Sequence, residues 1–181
     1  MRTQGIMKLI IYSLLLINME TSLIFDFNKE SNLKNWIVIN DAVMGGKSVG
    51  ELYVNSDGNG VFEGDVSLEN NGGFSSVKYS FSKIDIKNAS KINLVVKGDG
   101  KNYQFRLKAK SRDRHSFVSK FSTTGEWQEI EIQLKDMYPS FRGRKLDIPN
   151  FSEDSMEEIA FLIGNKSAEH FKLIIDKIEF K

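Results

Sequence analysis

From Leu23 onward, apolar residues recur at every second position, which places one side of each segment in a core and the other side in water. The clearest example is residues 103–110, where Tyr103, Phe105 and Leu107 alternate with polar or charged side chains. Similar segments occur at residues 23–27, 62–68, 77–81, 92–96, 130–134, 159–163 and 171–175. Together with shorter runs, this pattern predicts an all-β protein of roughly nine or ten strands.

Short segments rich in glycine and asparagine separate these runs, as hairpin connections require. They are residues 55–60, 70–73, 98–100 and 123–125. Helix signals are few, although residues 152–158 fit one helical turn, and an irregular stretch is predicted between Pro139 and Pro149. No internal repeat or linker is visible, so residues 23–181 are predicted to form one jelly-roll β-sandwich domain.

The N-terminus has a separate character. Residues 7–17 consist of a basic residue within an apolar run that is too short to span a bilayer but long enough for a signal peptide. Residues 1–22 are therefore interpreted as the signal peptide of an exported, periplasmic protein. The alternative is a mis-assigned start, because translation from Met19 would remove the run and leave a cytoplasmic protein.

The charge balance and the scarcity of reactive residues exclude several functions. The chain has 25 basic and 24 acidic residues, so it presents no overall field that would attract nucleic acid. It has no cysteine, which rules out disulfides, thiolate zinc sites and cysteine nucleophiles. Its two histidines, His115 and His170, are far apart in sequence. We therefore predict a protein that is not an enzyme.

The first dense motif is the loop of residues 41–48. Gly45 and Gly46 permit positive φ angles, and Asp41 and Ser48 can hold backbone amides beside Met44. The loop can cradle an anion or a sugar, or it can be a rigid structural loop. Turn chemistry accounts for each residue type and favours the structural interpretation.

Five further residues are candidates for a binding surface. Asn71 and Phe74 lie in a turn that either binds a saccharide or caps itself. Trp127 points to the face of its strand opposite the apolar residues and is predicted to be an exposed stacking platform. Phe141 precedes Arg142, which can grip a carboxylate, a phosphate or the acidic patch of a partner.

Carboxylates suggest two further hypotheses. Glu63, Asp65 and Glu69 form a local cluster, but two of them share a strand face that points to solvent, where a catalytic acid would lack desolvation. A hydrolase is therefore disfavoured. Asp26 and Asp176 lie in the first and last predicted strands, which neighbour each other in many jelly rolls. They are candidate ligands for a structural Ca²⁺, the one cofactor considered.

Taken in order, several motifs resemble the complex I intermediate-associated protein 30 family. They are Trp36 and residues 41–48, 62–64, 71–76, 98–103, 125–127, 141–144 and 171–178. The resemblance implies a galactose-binding-like jelly roll, related in shape to carbohydrate-binding modules. The family is named for a mitochondrial factor that assists assembly of respiratory complex I.

The expected function is thus a non-catalytic binding module that resembles an assembly factor or chaperone. Its partner would be a protein, such as a subunit of a membrane complex. The alternative is the carbohydrate-binding module of an exported protein, with a glycan as its partner. No nucleic-acid partner and no transmembrane span are expected.

Overall fold

The alternating segments form thirteen strands in two antiparallel sheets within residues 22–181, the part of the chain that this computed structural model describes. The strands are β1 (Ser22–Asp26), β2 (Trp36–Asn40), β3 (Val49–Val54), β4 (Gly60–Val66), β5 (Ser75–Asp85), β6 (Lys91–Lys97), β7 (Asn102–Lys108), β8 (Ser116–Ser122), β9 (Trp127–Gln133), β10 (Tyr138–Phe141), β11 (Arg144–Lys145), β12 (Ser155–Ile163) and β13 (Glu169–Phe180). Three short 3₁₀ helices, at Asp41–Met44, Glu69–Asn71 and Leu134–Asp136, complete the regular structure.

Sheet A has the strand order β3-β4-β13-β6-β9. Strand β13 is long enough to pair with two strands along one edge, β4 through residues 169–175 and β1 through residues 177–180. Sheet B has the order β11-β10-β8-β7-β12-β5-β2. The first and last strands are therefore neighbours, as the jelly-roll prediction expects.

The core lies between the inner faces of the two sheets. Phe62 and Phe171 of sheet A pack with ring centroids 4.8 Å apart, and Phe105 and Phe161 of sheet B pack at 5.5 Å. All four side chains are completely buried. Burying one such side chain contributes roughly 1.5–3 kcal/mol, so the alternation of the sequence supplies the main stabilisation of the sandwich.

The all-β prediction is confirmed, but three local predictions need correction. Strands β2, β3, β8, β10 and β11 were not predicted individually. The stretch between Pro139 and Pro149, predicted to be irregular, contains part of β10 and all of β11, which pair as a hairpin. Residues 152–158 do not form a helical turn, because β12 begins at Ser155 and pairs with β5 and β7. Three of the four predicted hairpin turns instead lead from one sheet to the other, and only residues 55–60 join two adjacent strands.

The predicted signal segment lies almost wholly outside the described residues. Between Ser22 and Lys181, no helix is long and apolar enough to cross a membrane.

Candidate binding groove on the outer face of sheet B

A groove of about 390 Å³ lies on the outer face of sheet B. Its walls are Phe74, Gln104, Arg106, Arg142 and Leu162, with Gly73, Gly143 and Gly164 between them. Two of these side chains, Phe74 and Arg142, are binding residues predicted from the sequence. The groove therefore joins loops that are far apart in the chain.

Strands β7 and β12 form the floor of the groove. Leu162 is the cross-strand partner of Gln104, and Ala160 is the partner of Arg106. Paired residues point to the same face of a sheet, so these four side chains lie together on the outer surface.

Arg106 is the central charged group of the groove. Its Nε and Nη2 both donate to Oε1 of Gln104, at 3.1 and 2.8 Å. Desolvation by the surrounding protein lowers the pKa of Arg106 below its usual value. Within residues 22–181, no carboxylate lies within salt-bridge distance of this guanidinium. Its charge is thus partly removed from water and has no counter-charge.

Arg142 enters the groove from the tip of a tight hairpin. Phe141 and Arg144 pair across β10 and β11, and the two residues between them, Arg142 and Gly143, have φ angles of +49° and +76°. Positive φ at both central positions is typical of a type I′ turn. The guanidinium carbon of Arg142 lies 5.4 Å from the ring centroid of Phe141, and that of Arg114 lies 5.2 Å from it. The turn and the ring together hold Arg142 in place.

Phe74 is positioned by a buried carboxylate. Asp41 is completely buried and accepts hydrogen bonds from the backbone amides of Ser48 (3.0 Å), Gly73 (2.6 Å) and Phe74 (3.2 Å). It also accepts one from the Ser48 hydroxyl, at 2.5 Å. Burial raises the pKa of Asp41, but these hydrogen bonds outweigh it and hold the pKa below the ordinary value. We call this arrangement the Asp41 clasp.

The Asp41 clasp explains one glycine in each of the two loops. A Cβ atom on Gly46 would lie 2.2 Å from Oδ1 of Asp41, and one on Gly72 would lie 2.6 Å from Oδ2. Both distances are impossible for real side chains, so glycine is required on each side of the carboxylate. Asn70 adds a further tie between the loops by donating to the carbonyl of Gly45 at 2.9 Å.

The predicted loop residues thus have different surroundings. Asp41 and Ser48 are buried and bind the chain itself, which agrees with the structural interpretation of their loop. Gly45 follows the 3₁₀ helix with φ of +85°, and the side chain of Met44 lies outside the described part of the structure. Asn71 is exposed beside the clasp, with φ of +60°. A ligand-binding role for these residues stays a prediction.

Trp127 is exposed as predicted, at 45% of its surface. It begins β9 at the edge of sheet A and therefore does not join Phe74 and Arg142 on sheet B. Gln104, Arg106 and Leu162 were missed as site residues. The signal for Gln104 and Arg106 was the row of polar side chains in residues 103–110, which the sequence presents as an ordinary solvated face. Leu162 lies in β12, outside that segment.

The predicted carboxylate cluster lies on sheet A and in the turn after β4, and each member has a partner. Glu63 accepts hydrogen bonds from the Tyr53 hydroxyl (2.7 Å) and from Lys172 (2.8 Å). Asp65 contacts His170 at 3.2 Å, and Glu69 contacts a lysine. The hydrogen bond from Lys172 is the main cause of a lowered pKa of Glu63. A catalytic acid requires the opposite shift, so this arrangement gives no support to a hydrolase.

Asp26 and Asp176 are brought near each other by the pairing of β1 with β13. The backbone amide of Phe27 donates to the carbonyl of Asp176 at 2.9 Å. Among residues 22–181, no group of three or more acidic, histidine or cysteine side chains is arranged to hold a metal ion. The structural Ca²⁺ stays a prediction.

Residues 25–175 match the family Complex I intermediate-associated protein 30. The chain belongs to this family. It is also similar to the Drosophila melanogaster protein named Complex I intermediate-associated protein 30, mitochondrial, with 27% identity over 150 residues, 71% of this chain and 51% of that protein. The chain thus spans about half the length of this curated relative.

Solved structures with a similar fold include carbohydrate-binding modules. A family 11 module from Clostridium thermocellum, in complex with a β-1,3-1,4-mixed-linked tetrasaccharide, has a TM-score of 0.68 at 19% identity and covers 88% of this chain and 94% of its own. A mutant of the family 29 module CBM29-2 has a TM-score of 0.52 at 10% identity and covers 89% and 91%. At these identities the likeness shows the fold alone, a galactose-binding-like jelly roll.

Proposed function

We propose that this family member is a non-catalytic module that binds a protein partner, in the manner of an assembly factor, through the groove on sheet B. Membership of the Complex I intermediate-associated protein 30 family supports the kind of partner. The groove supports the location of the binding site on sheet B. It is the observation on which the proposal chiefly rests.

The lining of the groove is typical of a protein interface. Phe74 and Leu162 provide apolar surface, while Arg106 and Arg142 provide directional donors beside it. Interfaces concentrate their binding energy in aromatic and arginine residues that lie in well-packed pockets. The Asp41 clasp and the tight turn fix the backbones of Phe74 and Arg142, which lowers the backbone conformational entropy lost on binding.

The test is affinity capture of the tagged full chain from its native host, followed by mass spectrometry. Leu162→Trp fills the groove, whereas Val49→Trp introduces the same side chain at an exposed position on sheet A and serves as the matched control. We expect subunits of a membrane-bound complex to co-purify with the unchanged chain and with the control, and to be lost from Leu162→Trp. Equal recovery with Leu162→Trp would show that the groove is not the binding site.

A glycan is the second candidate partner. The jelly-roll fold shared with carbohydrate-binding modules and the exposed Trp127 support it, because flat aromatic side chains are common platforms for stacking. Binding of the purified chain to a glycan array, lost in Trp127→Ala, would favour this function over the first. Absence of binding to every glycan on the array would exclude the glycans tested.

The cellular compartment separates the two candidates, because an exported protein meets glycans and a cytoplasmic one meets newly made complexes. Fractionation of the host and mass spectrometry of the mature N-terminus decide it. A start near Ser22 or Leu23 in the exported fraction identifies a cleaved signal peptide, which we propose on the apolar run of residues 7–17. A start at Met19 in the cytoplasm overturns this proposal.

A further inference from the structure

The arginines of the described chain form no ion pairs with the chain's own carboxylates. All eight salt bridges within residues 22–181 use a lysine or a histidine as the cation. The five arginines in this range, Arg106, Arg112, Arg114, Arg142 and Arg144, take part in none of them. Three of them, Arg106, Arg114 and Arg142, lie in the groove or against the neighbouring ring of Phe141.

The outer face of sheet B is locally cationic although the whole chain is close to neutral, with a net charge of +1. The cross-strand rows around the groove carry Lys78, Arg106, Lys108 and Lys120. Glu158 is the one carboxylate in these rows of described residues. Four cations therefore face a single anion.

That single anion is already neutralised. Glu158 is 6% exposed, and its two carboxylate oxygens lie 3.3 Å from the ammonium groups of Lys78 and Lys108. It therefore has no free charge for Arg106, which lies in the next cross-strand row. The guanidinium of Arg106 remains a partly desolvated cation whose only side-chain hydrogen-bond partner in the described chain is neutral Gln104.

We infer that the groove recognises an acidic side chain of the partner protein, flanked by an apolar one. The inference rests on the proposed function and names the chemistry of the bound segment. Its carboxylate pairs with Arg106 and Arg142, whose planar donors match a carboxylate better than a lysine does. Its apolar neighbour packs against Phe74 and Leu162 on the wall of the groove.

The desolvation of Arg106 increases the value of such a pair. An ion pair in a partly water-excluded groove is screened less than one on an open surface, so a carboxylate gains more there. Phosphate groups and uronic acids carry a similar charge. A peptide fits better, because a bare anion would make no contact with the apolar side chains of Phe74 and Leu162.

The test is selection of a random peptide library displayed on phage against the purified full chain. We expect selected peptides to be enriched in aspartate or glutamate next to a large apolar residue. If the selected peptides are not enriched in acidic residues, the inference is overturned. The same holds if no selected peptide depends on Arg106 and Arg142 for binding.

The variants are chosen so that charge is removed without harming the fold. Arg142→Asn suits the turn, because asparagine is favoured at positive φ in type I′ turns, and Arg106→Gln keeps hydrogen-bonding capacity. Arg112→Gln removes the same charge from an exposed loop and is the matched control. By fluorescence anisotropy, a selected peptide should bind the Arg106→Gln, Arg142→Asn double variant about tenfold or more weakly, and Arg112→Gln almost unchanged.

Replacing the acidic residue of the peptide by its amide should weaken binding to the wild-type chain by the same factor. It should not weaken binding to the double variant any further. Equal binding of the acid and the amide would refute carboxylate recognition, as would displacement of the peptide by inorganic phosphate at equal concentration. If Leu162→Trp abolishes capture of the host partner while the double variant does not, the proposed function stands and this inference fails.

Discussion

Replacing Asp41 by asparagine should destabilise the domain strongly, because the carboxylate organises two loops from a fully buried position. The amide keeps the size of the side chain but has only one acceptor oxygen. In its better orientation it still accepts from Gly73 and Phe74, but its NH₂ group faces the backbone amide of Ser48. That donor loses its partner, and the remaining hydrogen bonds lose their charge.

An unsatisfied buried donor costs about 1–3 kcal/mol, and a hydrogen bond to a neutral group is roughly half as strong as one to a charged group. The expected loss is therefore about 2–4 kcal/mol in the free energy of unfolding. For a domain of this size, that corresponds to a decrease of about 5–15 °C in Tm. Thermal unfolding followed by circular dichroism measures it.

Glu69→Gln is the matched control, because it makes the same chemical change in the neighbouring turn. The side chain of Glu69 is 64% exposed and pairs with exposed Lys47, so its loss should change Tm very little. A Tm of Asp41→Asn within about 1 °C of the wild-type Tm would correspond to a loss of less than about 1 kcal/mol. The clasp would then not be a stabilising feature.

The pH dependence provides an independent check. Since the pKa of Asp41 is lowered in the fold, its contribution to stability is complete above the ordinary pKa of 3.8 and is lost as the pH falls through the lower folded pKa. The difference in Tm between the unchanged chain and Asp41→Asn should therefore be largest near neutral pH and shrink in acid. A difference that grows in acid would contradict the assignment.

Three smaller predictions concern the two outer faces. Arg106→Gln should leave Tm unchanged or raise it, because it removes a desolvated charge without a counter-ion; a marked decrease in a thermal melt would contradict this. Glu63→Gln should cost about 1 kcal/mol or less in urea unfolding at neutral pH, since its contacts with Lys172 and Tyr53 are partly exposed. This cost should begin to shrink below the ordinary pKa of 4.5 and be lost as the pH falls through the lowered pKa of Glu63 in the fold. Trp127→Ala should cost about 1–3 kcal/mol in the free energy of unfolding, again measured in urea, because about half of its large surface is buried.

The sequence predicted the sandwich because burial on one face imposes a period of two on every central strand. It did not predict β2, whose run from Trp36 to Asn40 has no strict alternation at the edge of sheet B. It was wrong about residues 152–158, where acidic residues suggested a helical turn. Pairing with β5 and β7 and complete burial of Met156 outweigh that local preference.

The groove was only half predictable, for a physical reason. Phe74 and Arg142 stand in loops, where turn residues and a large or charged side chain are visible signals in the sequence. Arg106 stands on a strand and has the pattern of a solvated residue. It becomes part of a site because Ala160 and Leu162, from a strand distant in the chain, lie beside it on the sheet.

The two glycine-rich loops show why a motif can identify a fold without identifying a ligand. Residues 41–48 and 70–76 have the composition of an anion or sugar cradle, yet the anion they surround is the chain's own Asp41. Gly46 and Gly72 are required by the carboxylate, so the motif defines the scaffold that holds Phe74 at the groove. Specificity for a partner then depends on side chains outside this motif, of which Arg106 and Arg142 have the strongest unmet requirement for a partner.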